Sequence, residues 1–264
     1  MVIAVTGPYG STGKTTVAIN MALELSLGSD RVLLIDGDLK GHSIANHFLL
    51  TEAPAGLGAA VRIAGQNRID QHQIERLSFQ YQKSTLRIMP GSGALFGQGI
   101  DQTAMAALLE SARANFDFTV VDLGSIQMED QSPQALLNQS VLAQADRSVL
   151  VALADPIGIF RLLSIEQQAL SACGDPLLIV NRVRNSVIWQ ARREIGITLQ
   201  RLSTLEPKAY LADDPAHLDQ ALRTGVPAAA LSRSGSFRQG LTGFVRAELL
   251  GLKGQLDSRV GKLG

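Results

Sequence analysis

The chain has 264 residues, enough for one large α/β domain with a substantial buried core. It contains 24 Lys plus Arg and 24 Asp plus Glu, so its net charge produces no overall attraction to nucleic acid or an anionic membrane. Its single cysteine, Cys173, excludes an internal disulfide and an all-cysteine metal cluster within one chain. The sequence has no signal-peptide pattern and no apolar run long enough to span a bilayer, so we expect a soluble, cytoplasmic protein.

A glycine-rich stretch at residues 7–16 has the sequence Gly-Pro-Tyr-Gly-Ser-Thr-Gly-Lys-Thr-Thr. It follows an apolar, β-branched run and precedes a helical pattern, a setting in which backbone N–H groups and a helix N-terminus surround a phosphate. Lys14 would supply a cation to the β- and γ-phosphates, and the Thr15 hydroxyl would bind Mg²⁺. Pro8 replaces the first glycine of the usual G-x-x-x-x-G-K-[ST] pattern, so a Gly-rich turn of another α/β protein is the alternative.

Apolar, β-branched runs alternate with helical patterns along the chain. The predicted strands cover residues 2–6, 31–35, 86–89, 118–121, 148–153, 177–180 and 209–211. The predicted helices cover residues 14–26, 105–115, 133–145, 160–172, 188–195, 215–223 and 237–250. Several strands are apolar on both faces, which predicts an α/β fold with a doubly wound, mostly parallel sheet and helices on both faces. In the Gly-, Gln- and Ala-rich residues 49–83 we expect helical insertions or a mobile segment rather than a second domain.

Polar residues follow several predicted strands at the edge where such sheets bind ligands. Asp36 and Asp38 follow the second strand, where two carboxylates can contribute to a Mg²⁺ site and position a water, or one can cap the next helix. Asp122, near the end of the fourth strand and before Gly124, matches the way P-loop proteins hold the water shell of Mg²⁺. Asn181 follows the sixth strand, where its amide would contact an adenine edge, and a satisfied turn asparagine is the alternative.

These motifs together resemble those of the ParA/MinD branch of P-loop ATPases, which includes the TadZ/CpaE pilus-positioning proteins. The resemblance rests on the phosphate loop, Leu33-Leu34-Ile35-Asp36-Gly37-Asp38, Val121-Asp122, Ile179-Val180-Asn181-Arg182, and Asp213-Asp214-Pro215 followed by Gly225-Val226-Pro227. It covers nearly the whole chain, so we expect one P-loop ATPase domain over residues 1–264. It implies a protein that binds ATP and Mg²⁺ and forms a homodimer around ATP, which hydrolysis dissolves. In that family the cycle positions chromosomes, plasmids, division machinery or pili, with a protein partner that stimulates hydrolysis or is itself positioned.

The resemblance also implies a role for each matching residue. The nucleotide cradle would consist of Gly10, Ser11, Thr12, Gly13, Lys14, Thr15 and Thr16, with Asn181 on the base. Lys14 and Asp38 would be catalytic, with Asp38 positioning the attacking water, and Thr15, Asp38 and Asp122 would hold Mg²⁺. Tyr9 replaces the family's signature lysine, which reaches the phosphate of the partner subunit. Either an arginine from elsewhere or from a partner supplies that charge, or the protein hydrolyses ATP weakly or only binds it.

Two further segments raise the question of surface binding. A helical stripe at the C-terminus contains Leu249, Leu252, Lys253, Leu256, Arg259, Val260, Lys262 and Leu263. It is similar to the membrane anchor of MinD-like proteins, but its glycines favour a frayed tail over residues 253–264. A basic segment contains Arg182, Arg184, Arg192, Arg193, Arg201 and Lys208. ParA-like proteins bind DNA nonspecifically through such patches, but a solvated helix face with Trp189 half buried is the favoured interpretation here.

Three functions compete at this point. The first is the dimerising ATPase switch, which would be cytoplasmic and peripheral at a membrane or nucleoid where a surface contact forms. The second is a metabolic ATP-dependent ligase of the dethiobiotin synthetase kind, which would need a cluster of polar substrate-binding residues that we do not find. The third is a non-hydrolysing scaffold, suggested by Pro8 and Tyr9. Relatives on the pilus side often have an N-terminal receiver-like domain, so we expect a shorter relative or an excised domain.

Overall fold

The computed structural model describes residues 1–91, 100–126, 131–165 and 167–252. Its strands are β1 (Val2–Gly7), β2 (Val32–Asp36), β3 (Phe79–Gln80), β4 (Leu86–Met89), β5 (Phe118–Ser125), β6 (Arg147–Leu153), β7 (Leu177–Val183) and β8 (Pro207–Ala212). They form one sheet in the order β3-β4-β2-β5-β1-β6-β7-β8. All pairings of these strands are parallel except that of β3 with β4. The predicted doubly wound, mostly parallel sheet is confirmed.

Helices connect the strands and cover the two faces of the sheet. They are α1 (Lys14–Leu25), α2 (Ile44–His47), α3 (Gly56–Ala64), α4 (Gln71–Arg76), α5 (Gln102–Asn115), α6 (Pro133–Leu142), α7 (Pro156–Leu163), α8 (Gln167–Ala172), α9 (Ala191–Leu202), α10 (Pro215–Thr224), α11 (Ala228–Leu231) and α12 (Ser236–Phe244), followed by a π-helical turn at Val245–Leu249. Successive strand residues enter opposite cores because side chains alternate along a strand. Val2 packs in the core that contains Leu108 of α5, whereas Ile3 packs in the core that contains Met21 of α1. The helices predicted in residues 49–83 are present as α3 and α4.

The strand predictions missed β3 and shortened the ends of several others. β3 is only two residues long and exists because it pairs with β4, so its signal is not local. β5 continues to Ser125 and β7 to Val183, beyond the predicted ends at 121 and 180. These extensions matter because they put Asp122 and Asn181 inside the hydrogen-bonded ladder, where the backbone fixes their direction.

Two helix predictions were wrong in their bounds, and a third is confirmed in extent but differs in helix type. Residues 160–172 do not form one helix, because the Asp155 side chain caps an earlier start at Pro156 and α7 ends at Leu163. The helix predicted at 188–195 begins only at Ala191, after Gln190 with a left-handed φ of 49°, and continues to Leu202. The last predicted helix, 237–250, starts at Ser236 and becomes π-helical after Phe244.

None of the helices in the described residues is long and apolar enough to cross a membrane. The tail predicted at 253–264 lies outside the described residues.

Candidate functional site

The glycine-rich stretch forms the connection from the carboxyl end of β1 to the first turn of α1. Ser11 and Gly13 have left-handed φ values of 62° and 89°. At Gly13 a methyl group would lie 2.4 Å from the amide nitrogen of Asn181, so both backbone angle and space require glycine there. Gly10 and Ser11 are exposed, whereas Thr12 is buried. The loop therefore has the shape of a phosphate cradle at the N-terminus of a twelve-residue helix.

Lys14 is almost buried, with 6% of its surface exposed. Its ammonium group donates a 2.8 Å hydrogen bond to the backbone carbonyl of Tyr9, which curls the side chain over the loop. Burial lowers the pKa of Lys14, and the negative charges of Asp122 and Asp38 oppose that shift. The predicted phosphate lysine thus lies close to the predicted acidic residues.

Asp122 is fully buried on β5, and Asp36 is its register partner on β2. Burial raises the pKa of Asp122 to about 7, while a hydrogen bond with the Thr15 side chain lowers it and the charges of Asp36 and Asp38 raise it further. Its Oδ2 atom has no hydrogen-bond partner in the described part of the chain. A buried carboxylate oxygen without a partner, next to a threonine hydroxyl, fits the hydrated shell of Mg²⁺. The described residues contain no group of three His, Cys, Asp or Glu side chains that could hold a metal by themselves.

The two aspartates of the Asp-Gly-Asp sequence have different roles. Asp36 is buried and accepts a 3.0 Å hydrogen bond from the backbone N–H of Ile44 at the start of α2. Burial raises its pKa to about 6, against hydrogen bonds from the backbone. The capping interpretation therefore applies to Asp36, and Asp38 remains as the residue of the pair available for chemistry.

Asp38 follows β2 and is partly exposed. Its Oδ1 atom accepts hydrogen bonds from the backbone N–H groups of Lys40 and Gly41, at 3.1 and 2.8 Å. Gly124, at the end of β5, has a left-handed φ of 65°, and a methyl group there would lie 2.6 Å from the Asp38 carboxyl carbon. The chain after Asp122 therefore leaves room for the Asp38 carboxylate beside it.

Sequence reasoning missed Gln134, which joins the ends of β2 and β5. This side chain is buried in the first turn of α6. Its amide nitrogen donates to the carbonyls of Gly37 and Leu123 at 3.1 and 3.0 Å, and its oxygen accepts from Leu39 N–H at 2.8 Å. These bonds connect the backbones that carry Asp38 and Asp122. No local pattern marks such a glutamine, because its partners are up to 97 residues away in sequence.

Asn181 lies in β7 and is buried against the phosphate loop. Its amide nitrogen donates to the carbonyl of Thr12 at 2.9 Å, and its oxygen accepts from the N–H of Arg182 at the same distance. The side chain is thus a brace for the loop, and its contact with a base stays a prediction. Thr16 lies in the first turn of α1, half-buried, where its contact with the nucleotide also stays a prediction.

The basic segment is not the solvated helix face with a half-buried tryptophan that the sequence favoured. Trp189 lies in the turn before α9 and is 77% exposed, rather than half buried on a helix. Arg184 pairs with Asp213 at 3.3 Å, and the Arg192 guanidinium lies 5.9 Å from the centre of the Tyr210 ring. Part of the positive charge is therefore engaged within the chain, and nonspecific DNA binding stays a prediction.

Comparison with known proteins decides the family. A protein-family profile described as "AAA domain" (AAA_31) matches residues 1–155, more than half of the chain. The chain belongs to the P-loop ATPases of the ParA/MinD type. Its assignment to the TadZ/CpaE side of this family stays a prediction.

Solved structures of ParA/MinD proteins share the fold. A chain of the MinC:MinD cell division protein complex from Aquifex aeolicus superposes with a TM-score of 0.76 at 20% identity, over 97% of this chain and 98% of that one. A ParA family ATPase from Chlorobium tepidum has a TM-score of 0.74 at 15% identity, over 91% and 95%. MinD from Pyrococcus horikoshii, solved with Mg-ADP, has a TM-score of 0.71 at 20% identity, over 97% and 99%.

Two relatives found by sequence similarity are described by functions other than ParA or MinD. The succinoglycan biosynthesis transport protein ExoP of Rhizobium meliloti is 32% identical over 136 residues, 47% of this chain and 16% of that protein. An iron-sulfur cluster carrier protein of Deinococcus radiodurans is 27% identical over 174 residues, 62% of this chain and 46% of that protein. The ParA/MinD-type chain therefore spans less than half the length of either relative.

Proposed function

We propose that this ParA/MinD-type protein is an ATP- and Mg²⁺-dependent switch. It forms a homodimer when ATP is bound, hydrolyses ATP slowly under stimulation by a protein partner, and serves intracellular positioning or partitioning. The observation that carries the proposal is the convergence of Lys14, Thr15, Asp38 and Asp122 at the carboxyl edge of neighbouring parallel strands. Each of these groups comes from a different loop or strand end except the adjacent Lys14 and Thr15, so the fold alone brings them together.

The residues divide the chemistry among them. The Lys14 ammonium would exchange the Tyr9 carbonyl for the β- and γ-phosphate oxygens of ATP, which are stronger acceptors because they are charged. Thr15 and Asp122 would hold Mg²⁺, the latter through water, and the ion would neutralise charge on the phosphates. Asp38 is the partly exposed carboxylate of the cluster, and it would orient the water that attacks the γ-phosphate.

The relatives support nucleotide and partner binding. The Pyrococcus horikoshii MinD was solved with Mg-ADP, and the Aquifex aeolicus MinD was solved in complex with MinC. Their likeness supports the same ligand and a protein partner for this chain. A soluble, cytoplasmic location belongs to this proposal as well, whereas binding to DNA or to a membrane surface is not favoured.

Light scattering of the protein with Mg²⁺ and either ATP or ADP tests the proposal. We expect ATP, and not ADP, to convert a monomer into a dimer, and Asp38→Ala to make the dimer persist because hydrolysis is blocked. Lys14→Ala is the matched control that should stay monomeric with either nucleotide. If the mass of the wild type and Asp38→Ala is the same with every nucleotide, the switch is excluded, and a constitutive scaffold or a metabolic ligase becomes the better description.

A further inference from the structure

Tyr9 connects the phosphate loop to helix α7. The Arg161 guanidinium lies over the Tyr9 ring, 4.7 Å from its centre, in cation–π geometry. The backbone carbonyl of the same tyrosine accepts the hydrogen bond of the Lys14 ammonium at 2.8 Å. Tyr9 therefore contacts two cations: its backbone carbonyl binds the Lys14 ammonium, and its ring contacts the Arg161 guanidinium.

The position of α7 against the loop is fixed by two features. The Asp155 carboxylate caps the helix by accepting from the N–H of Gly158 at 2.7 Å. Gly158 in turn lets the helix approach the loop, because a methyl group there would lie 2.7 Å from the Tyr9 hydroxyl. The guanidinium of Arg161, one turn further along the helix, is thereby held at the rim of the phosphate loop.

Arg161 is exposed, and no ion pair engages it among the described residues. Ile157 and Phe160 are 66% and 69% exposed, and they share its face of α7 by their helical spacing. Large apolar side chains this exposed, around a positioned cation, are typical of a surface that another molecule covers.

We propose that Arg161 of one copy binds the terminal phosphates of ATP held by a second copy, with Ile157 and Phe160 packed into the contact. This inference rests on the proposed ATP-dependent dimer. In a two-fold pair whose axis passes between α7 and the phosphate loop, Arg161 of each copy lies near the phosphate loop of the other copy. The positive guanidinium complements the negative phosphates, and its planar fork suits two phosphate oxygens at once.

The Tyr9 ring has a clear use in this arrangement. A free arginine side chain loses rotational freedom when it binds, whereas stacking on Tyr9 already orders the guanidinium beside the loop. Tyr9 is therefore a positioning residue for Arg161, and Arg161 supplies a second cation beside Lys14, which position 9 of the loop does not provide.

The test compares Arg161→Ala with Arg76→Ala, which removes an exposed arginine from α4 near the opposite edge of the sheet. Two quantities are measured with Mg²⁺: the affinity of dilute, monomeric protein for a fluorescent ATP analogue, and the solution mass at rising protein concentration with ATP. We expect Arg161→Ala to keep its ATP affinity within about twofold and to weaken dimerisation by at least about tenfold. Arg76→Ala should match the wild type in both measurements.

Three results would overturn the inference, and they differ from one another. If Arg161→Ala dimerises like the wild type, Arg161 is not part of the dimer contact, and the proposed switch is unaffected. Arg161→Ala that loses ATP affinity as a dilute monomer would show that the arginine binds phosphate in its own chain. A wild-type protein whose mass ignores ATP would refute the switch itself, and the inference with it.

Discussion

The side-chain amide of Asn181 donates a 2.9 Å hydrogen bond to the backbone carbonyl of Thr12, across 169 residues of sequence. This bond makes β7 the support of the phosphate loop, because the donor side chain is buried and its oxygen is held by the N–H of Arg182. If Asn181 only supports the loop, its substitution should weaken the binding of every nucleotide. If it contacts the base, its substitution should weaken the binding of adenine nucleotides alone.

Asn181→Ala should therefore lower the affinity for ATP and GTP by the same factor, about tenfold, because the Thr12 carbonyl loses its donor at a cost of about 1–3 kcal/mol. The measurement is titration of both nucleotides with Mg²⁺. Asn115→Ala is the matched control, since the Asn115 amide donates to the carbonyl of Ser111 in its own helix and lies outside the candidate site. A loss confined to ATP would show that Asn181 contacts the base, as the sequence predicted.

Gly124→Ala should impair hydrolysis more than nucleotide binding. A methyl group at this position would lie 2.6 Å from the Asp38 carboxyl carbon and would displace it. We expect the ATPase rate to fall at least about tenfold more than the ATP affinity. Gly174→Ala is a close control, because Gly174 has a φ of 66° and no atom within 4 Å of the added methyl, so it reports backbone strain alone. Equal effects of the two substitutions would exclude a specific role of the Asp38 position.

Gln134→Ala should destabilise the fold by about 2–4 kcal/mol, because it leaves the buried backbone groups of Gly37, Leu39 and Leu123 without partners. Urea unfolding monitored by circular dichroism measures the free energy of unfolding. Gln71→Ala, which removes an exposed glutamine that bonds Glu75 on α4, should change it little. Similar values for the two variants would mean that water replaces Gln134 without cost.

The contribution of Asp122 to the stability of the metal-free protein should fall as pH rises. Burial raises the pKa of Asp122 to about 7, above the value of about 4 for an unfolded aspartate. The folded state thus binds this proton more tightly, so the stabilisation is complete below about pH 4 and disappears as pH rises through about 7. Urea unfolding with a chelator, between about pH 4.5 and 7.5, should show the wild type falling relative to Asp122→Asn, which cannot titrate there. A difference that grows in favour of the wild type with pH would mean that Lys14 already stabilises the carboxylate.

Much of the fold could be predicted because its signals are local. Buried parallel strands are continuous apolar runs, and the phosphate loop stands out because glycines and a lysine follow such a run directly. Lys14, Thr15, Asp38 and Asp122 could be selected in the same way, since each adjoins a strand end or follows the loop. The start of α7 at Pro156 has a local signal too, an aspartate cap before a proline at the first helical position, and the prediction of one helix at 160–172 overlooked it. The two-residue strand β3 has no such signal, because it exists only through its pairing with β4.

By itself the sequence determined the parallel α/β architecture and selected the acids and the lysine of the candidate site, because periodic hydrophobicity and strand-end residues are properties of short segments. Only the tertiary structure decided that Asp36 caps α2 while Asp38 remains accessible, that Gln134 connects the backbones carrying Asp38 and Asp122, and that Asn181 braces the phosphate loop. The tertiary structure also showed that the Arg161 guanidinium lies over the Tyr9 ring, whereas the sequence showed only that the family's lysine is absent at position 9. These relationships join residues 8 to 169 positions apart, and the distant partners become neighbours only after the strands have assembled.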